Sequence, residues 1–306
     1  MTTITEFIDQ AWNDHAGNPQ GVAARLPQAV ALLEQAPDKT GDFAQLAEHV
    51  LVAHLGDGDA MARCLASLAP WAARHPVSGP ALVRARLAAA LVRGADAPAE
   101  PLPRAAAIRA HGSAVCGLAS RGDVAAARSL MQSAAALGRD TSAADQDAHK
   151  ALAACYHNLA AQLEEGPRGA ERDALMMESA HLSRSTWAEA GTWINVERAD
   201  YMLALCAIAM GDASQAVMHA RSCLAICEAN EADAFERFFA HEALGRALVA
   251  SGDASAAGEQ LARMRALLGD IDESNRAYCQ GSIDKLAAHL ELSAPDAANA
   301  TQTRSH

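Results

Sequence analysis

The stretch from Trp193 to Leu268 decides the fold: WINVERADYMLALCAIAMGDASQAVMHARSCLAICEANEADAFERFFAHEALGRALVASGDASAAGEQLARMRALL. One pattern occurs in it twice. Leu203-Ala204, Gly211-Asp212 and Ala216 are followed by Leu244-Gly245, Gly252-Asp253 and Ala257. A helix, a tight Gly-Asp turn and a second helix, repeated, make a unit that buries its faces only against neighbours. The Gly-Asp pairs are turn chemistry, with Gly closing one helix in the left-handed conformation and Asp capping the next.

Composition carries the same message to the whole chain. Of 306 residues, 51% are hydrophobic but only 4% are aromatic, and Ala is the commonest residue. Ala favours helix and lets helices approach closely. Runs with the period-two alternation of strands are absent, so the chain reads as all-α, a single array or two helical lobes. The net charge of −12 argues against nucleic acid, whose phosphates need clustered Lys and Arg. No apolar run reaches the roughly 18 residues that span a bilayer, and the acidic start lacks a signal-peptide core. Seven Cys, an odd number lying mostly in helical patterns, suit reduced thiols in a cytoplasmic protein.

Earlier in the chain, Thr3 and Glu6 have capping-box spacing at the head of a helix to Asn13. Asn18-Pro19 reads as an N-cap and first helical position, and Pro27 predicts a kink or break. A helix follows over Phe43–Leu55, then a turn at Gly56–Asp59, a returning helix from Met61, and another ending at Val92. The Pro-rich segment 94–103 is a candidate linker and lobe boundary; an ordinary loop is the alternative. Residues 1–93 thus form a helical region with degenerate repeats. Residues 104–292 form the regular array, closed by an amphipathic capping helix over Asn275–Leu292. Residues 293–306 read as a disordered tail.

The duplicated pattern resembles the tetratricopeptide repeat (TPR) family. Counted from Glu197, the motif supplies Leu203-Ala204, Gly211-Asp212, Ala216, Ala220 and Cys223; counted from Phe238, it supplies Leu244-Gly245, Gly252-Asp253, Ala257, Leu261 and Met264. Weaker copies begin at Ile108 and near Ala153. The two best copies start 41 residues apart (238 − 197), against about 34 in the family, so helices or loops are longer here. The family's early aromatic and late Pro are missing. The resemblance implies a right-handed superhelical array of antiparallel helix pairs and an interaction role, without naming a ligand.

In such arrays the first helix of each pair lines a concave groove. Carried onto this chain, the groove positions are Arg198 and Tyr201, then Phe239, Glu242 and Arg246. The weaker copies add His157 and Glu164, and Arg109 and Cys116. Arg with aromatic neighbours suits a carboxylate or peptide backbone beside an apolar contact; the plainer reading is charge pairing along and between helices. Trp187 and Trp193 could wall a pocket or simply fill an Ala-rich interface, and the second is favoured.

His219, Cys223 and Cys227 stand at i, i+4 and i+8 on one helix and are weak metal candidates, since three ligands in that row drift apart. Cys155 with His157, and His49 with His54, fall on different faces of an α-helix. No catalytic motif is visible and no cofactor is expected. The leading expectation is a noncatalytic module binding a protein or peptide in its groove, with a homo-oligomer as an option that the Ala-rich helix faces leave open. The alternatives are a sensor of peptides or small ligands, or less readily a metalloprotein or enzyme on a helical scaffold.

Overall fold

Asp212 and Asp253 each accept a hydrogen bond from a backbone N–H three residues on, those of Gln215 and Ala256, and so cap the helices they precede. Gly211 (φ 73°) and Gly252 (φ 82°) occupy the left-handed region that favours Gly. The following N–H groups reach back to Ala207 and Leu248, each over 3.0 Å, and satisfy carbonyls at the preceding helix ends. These turns join neighbouring helices in a computed structural model of the protein. The structure describes residues 3–139 and 145–293.

The chain is 85% helix, with no strand among the described residues. The α-helices are α1 (Ile4–Asp14), α2 (Pro19–Ala29), α3 (Thr40–Ala47), α4 (Gly58–Arg74), α5 (Gly79–Arg93), α6 (Arg104–Ser120) and α7 (Val124–Arg139). They continue as α8 (Gln146–Glu164), α9 (Ala170–Ala190), α10 (Trp193–Ala209), α11 (Ala213–Ala229), α12 (Ala234–Ala250), α13 (Ala254–Leu267) and α14 (Glu273–Ser293). Helices pack sequentially on their neighbours, consistent with a helical solenoid. No helix is long and apolar enough to cross a membrane. The expected tail lies outside the described residues from 294 onward.

The chain divides into two compact units, Met1–Thr186 and Trp187–His306. In the second, Ala204, Ala207, Ala216, Ala220, Ala243, Ala247 and Ala257 are fully buried between α10 and α13. Small side chains permit this close approach, and many weak contacts replace a few large ones. Trp193 packs beside Cys223, Cys227 and Ala240, the interface-filling role expected of it.

The first unit departs from expectation in two places. The Pro-rich segment 94–103 interrupts the helix but does not separate compact units, because α5 packs directly on α6 and Leu102 joins the N-terminal core. Arg86 also pairs with Glu100 across it. The second departure follows Ala47, where the expected α-helix to Leu55 becomes a π-helix over Glu48–His54. Its wider ladder is seen in Leu55 N–H donating to the Val50 carbonyl, five residues back, over 3.2 Å. The π segment lies against α6 at Gly117, where a Cβ would stand 2.1 Å from the Val52 carbonyl oxygen. Only Gly lets these backbones approach so closely. Pro27, expected to kink or break its helix, falls two residues before α2 ends, and the chain runs on as a 3-10 turn over Val30–Glu34.

Candidate functional site

The π segment determines where two histidines point. In an α-helix, residues five apart diverge by roughly 140°, and that is why His49 and His54 read as facing different ways. The i→i+5 ladder brings them back to one side, and their Nε2 atoms lie 3.1 Å apart. This overturns the sequence expectation. His15 joins them from the C-terminal end of α1, with ring centroids 4.8 Å from His49 and 5.2 Å from His54. Its Nδ1 is 2.6 Å from the Trp12 carbonyl oxygen, a contact that places the proton on Nδ1 and leaves Nε2 as an acceptor. The Trp12 ring packs on both His15 and His49.

These histidines line a cavity of about 460 Å³ contained in the first unit. Its other walls include Glu48 from the π segment, Arg84 from α5, Arg109, Ser113 and Cys116 from α6, and Cys155, Asn158 and Gln162 from α8. Glu48 is 2% exposed. Its two carboxyl oxygens accept hydrogen bonds from Arg84 Nε and Ser113 Oγ, both at 2.8 Å. Burial pushes the Glu48 carboxyl above its ordinary range, although Arg84 and Ser113 both favour the ionised form. Burial, with His54 and His15 nearby, pushes His49 down to about 4. His54 is lowered as well, again chiefly by burial.

The cavity thiols are unreactive. Burial pushes Cys155 up to about 12 and raises Cys116 further, so neither supplies a thiolate near neutral pH. Arg109 lies exposed at the rim and makes no ion pair or hydrogen bond with another described residue. Two groove positions carried over from the weak Ile108 copy, Arg109 and Cys116, therefore reach the cavity. His157 and Glu164 are half-buried on α8 and are not among the lining residues. On that helix the cavity face runs instead through Cys155, Asn158 and Gln162, a register shifted from the family positions.

In the second unit the inward faces of α10 and α12 do meet. Tyr201 donates to Glu242 over 2.7 Å, and Arg246 approaches the same carboxylate at 3.6 Å. The Tyr201 and Phe239 rings pack edge to face at 6.3 Å. Arg198 pairs with Glu236. These charges are answered by partners within the unit, the plainer of the two readings weighed from sequence.

The Cys/His row on α11 does not converge. His219 faces Asp200 at 3.1 Å, while Cys223 donates to Glu197 over 2.8 Å. Glu197 is 1% exposed, its Oε2 has no hydrogen-bond partner, and burial pushes it up to about 7. Burial, and then Glu197, raises Cys223 in turn.

Sequence reasoning passed over His15, Trp12, Glu48 and Arg84. The signal available for the histidines, their spacing, was read with the wrong helical period. Among the described residues, His15, His49 and His54 are the one group of three metal-competent side chains with ligand atoms mutually close, all within 4.8 Å. No family model matches the chain, and no curated protein matches it significantly.

Proposed function

We propose that this chain is a noncatalytic binding protein built as a right-handed, TPR-like solenoid, and that it takes a small or peptide ligand bearing a carboxylate in the cavity of its first unit. The observation that carries this reading is Arg109, a cation without a partner among the described residues at the rim of that cavity. Guanidinium groups recognise carboxylates through paired N–H donors. Ser113, Asn158 and Gln162 add neutral hydrogen-bonding groups, and Trp12 supplies an apolar wall. A cavity of this size falls in the range of small-ligand sites. The raised thiol pKa values speak against covalent chemistry in it.

A second reading places a peptide on the second unit, along Arg198, Tyr201, Phe239, Glu242 and Arg246. It is favoured by the aromatic face formed by Phe235, Phe239 and Tyr278, the last 69% exposed. The internal pairing of Arg198 and Arg246 argues against it, since a partner would have to compete with Glu236 and Glu242.

One experiment separates the two. Thermal melting is followed with dicarboxylates and with short peptides carrying free or amidated C-termini. The cavity reading predicts stabilisation by free carboxylates that Arg109→Gln abolishes and Arg198→Ala/Arg246→Ala leaves intact. The reverse pattern would move the site to the second unit.

A further inference from the structure

We propose that His15, His49 and His54 form a binding site for a transition-metal dication of the zinc class, held by three imidazole Nε2 atoms, with a fourth position open to the cavity. The site does not depend on Arg109 or on any organic ligand.

The geometry carries it in three steps. With metal–nitrogen bonds of about 2.0–2.1 Å, two ligands of a tetrahedral ion stand roughly 3.3 Å apart. His49 and His54 already stand at 3.1 Å. One ring nitrogen from each of the three lies within 4.8 Å of the others, so closing the triad asks for at most about 1.5 Å of movement, within reach of a side-chain rotation.

The second step concerns the proton on His15. Metal-bound imidazoles ordinarily donate their other N–H to a carbonyl or carboxylate, and this fixes the tautomer and aims the ligand. The Trp12 carbonyl does this for His15, at 2.6 Å from Nδ1. Its free Nε2 is then the atom available to a metal.

The third step concerns what else could explain the cluster. Three imidazoles in mutual contact can form one N–H···N bond between His49 and His54, but this gives His15 Nε2 no role. The nearest buried acid on the same segment, Glu48, is already engaged by Arg84 and Ser113. A shared cation accounts for all three nitrogens. It also gives a use to the π segment, which is the device that sets two of them side by side, and such segments recur at functional sites.

Three nitrogen donors select zinc, cobalt, nickel or copper over magnesium and calcium, which prefer oxygen. Three protein ligands rather than four is the pattern of a site that keeps one position for water or another exogenous ligand atom. The cavity provides room for that atom.

The test uses the full chain, stripped with a chelator and titrated with Co2+ alone, then with Zn2+ as competitor. The expected result is one Co2+ per chain with the intense visible absorption of a tetrahedral site, bleached by Zn2+. His49→Ala and His54→Ala should each weaken binding by more than about tenfold, and His15→Gln should alter the spectrum. His219→Ala and Arg109→Gln should leave both unchanged, so a failure here is separable from a failure of the carboxylate reading. Helical circular dichroism of the metal-free variants checks that they fold. Absence of stoichiometric Co2+ binding by the unaltered chain overturns the proposal, as does binding that survives the folded His49→Ala/His54→Ala pair. Mg2+ in place of Co2+ should show no binding.

Discussion

The turn at Gly56-Asp57 in the first unit and the turns at Gly211-Asp212 and Gly252-Asp253 in the second are built alike. In each the Gly has positive φ, the Asp N–H reaches back to a carbonyl of the preceding helix, six residues earlier at Asp57 and five at Asp212 and Asp253, and the Asp side chain caps the next helix. The helix leading into the turn is what differs. In the second unit it is a regular α-helix, its buried face lined by Ala, and its charged groups pair among themselves. In the first it is a π segment whose wider turn gathers histidines and a buried Glu around a cavity. The same punctuation thus leads out of a closed interface in one unit and out of a cavity wall in the other. The local helical period decides which.

Breaking the first unit's side of this comparison should have the largest effect. Arg84→Ala leaves Glu48 buried with Ser113 as its one remaining hydrogen-bond donor, and removing one member of a buried pair costs about 3 kcal/mol or more. Denaturant melts should show that loss at pH 8 and a smaller one at pH 5, where the carboxyl can take up a proton. An equal loss at both would mean that Glu48 does not change its charge between these pH values.

Gly117→Ala tests the close approach that the π segment requires. A Cβ there meets the Val52 carbonyl oxygen at 2.1 Å, and overpacking of this kind costs about 2 kcal/mol. The same variant should perturb the His49–His54 pair, to be read from the histidine ring signals in NMR spectra. Unchanged stability would show that α6 and the π segment can move apart freely.

The second unit offers a smaller effect of opposite sign. Glu197 titrates near 7 in the folded chain against 4.5 as its reference value. A raised acid pKa means that the unfolded chain gives up the proton first, so stability falls as pH rises from about 4.5 to 7. Glu197→Gln removes that titration and keeps an oxygen to accept from Cys223. It should stabilise the protein by about 2 kcal/mol at pH 8 and have almost no effect at pH 4. A variant advantage that does not shrink on acidification would contradict this origin.

Much of the second unit was legible in the sequence. The helix, Gly-Asp turn and helix read twice within Trp193–Leu268 stand in the structure as α10 with α11 and α12 with α13, because Gly and Asp act locally at the turns. The capping box at Thr3 and the Asn18 cap were legible for the same reason. The division between units was not, since it falls inside the continuous helix α9, where no residue type marks it. The prolines of 94–103 stop a helix, but a broken helix is a backbone event and a separate core is a packing event.

The candidate site was hardest to read because it depends on contacts between distant positions. The sequence by itself determined an all-α chain of sequentially packed helices, the placement of its Gly-Asp turns, and the faces that Ala buries. These follow from propensities and capping, which act over a few residues. Only the tertiary structure decided that residues 48–54 widen into a π-helix against Gly117. It alone brought His15 from the end of α1 to His49 and His54, and placed Arg84 over Glu48. The physical reason is that a π turn gains little from its own residues and persists where packing on another helix holds it in place.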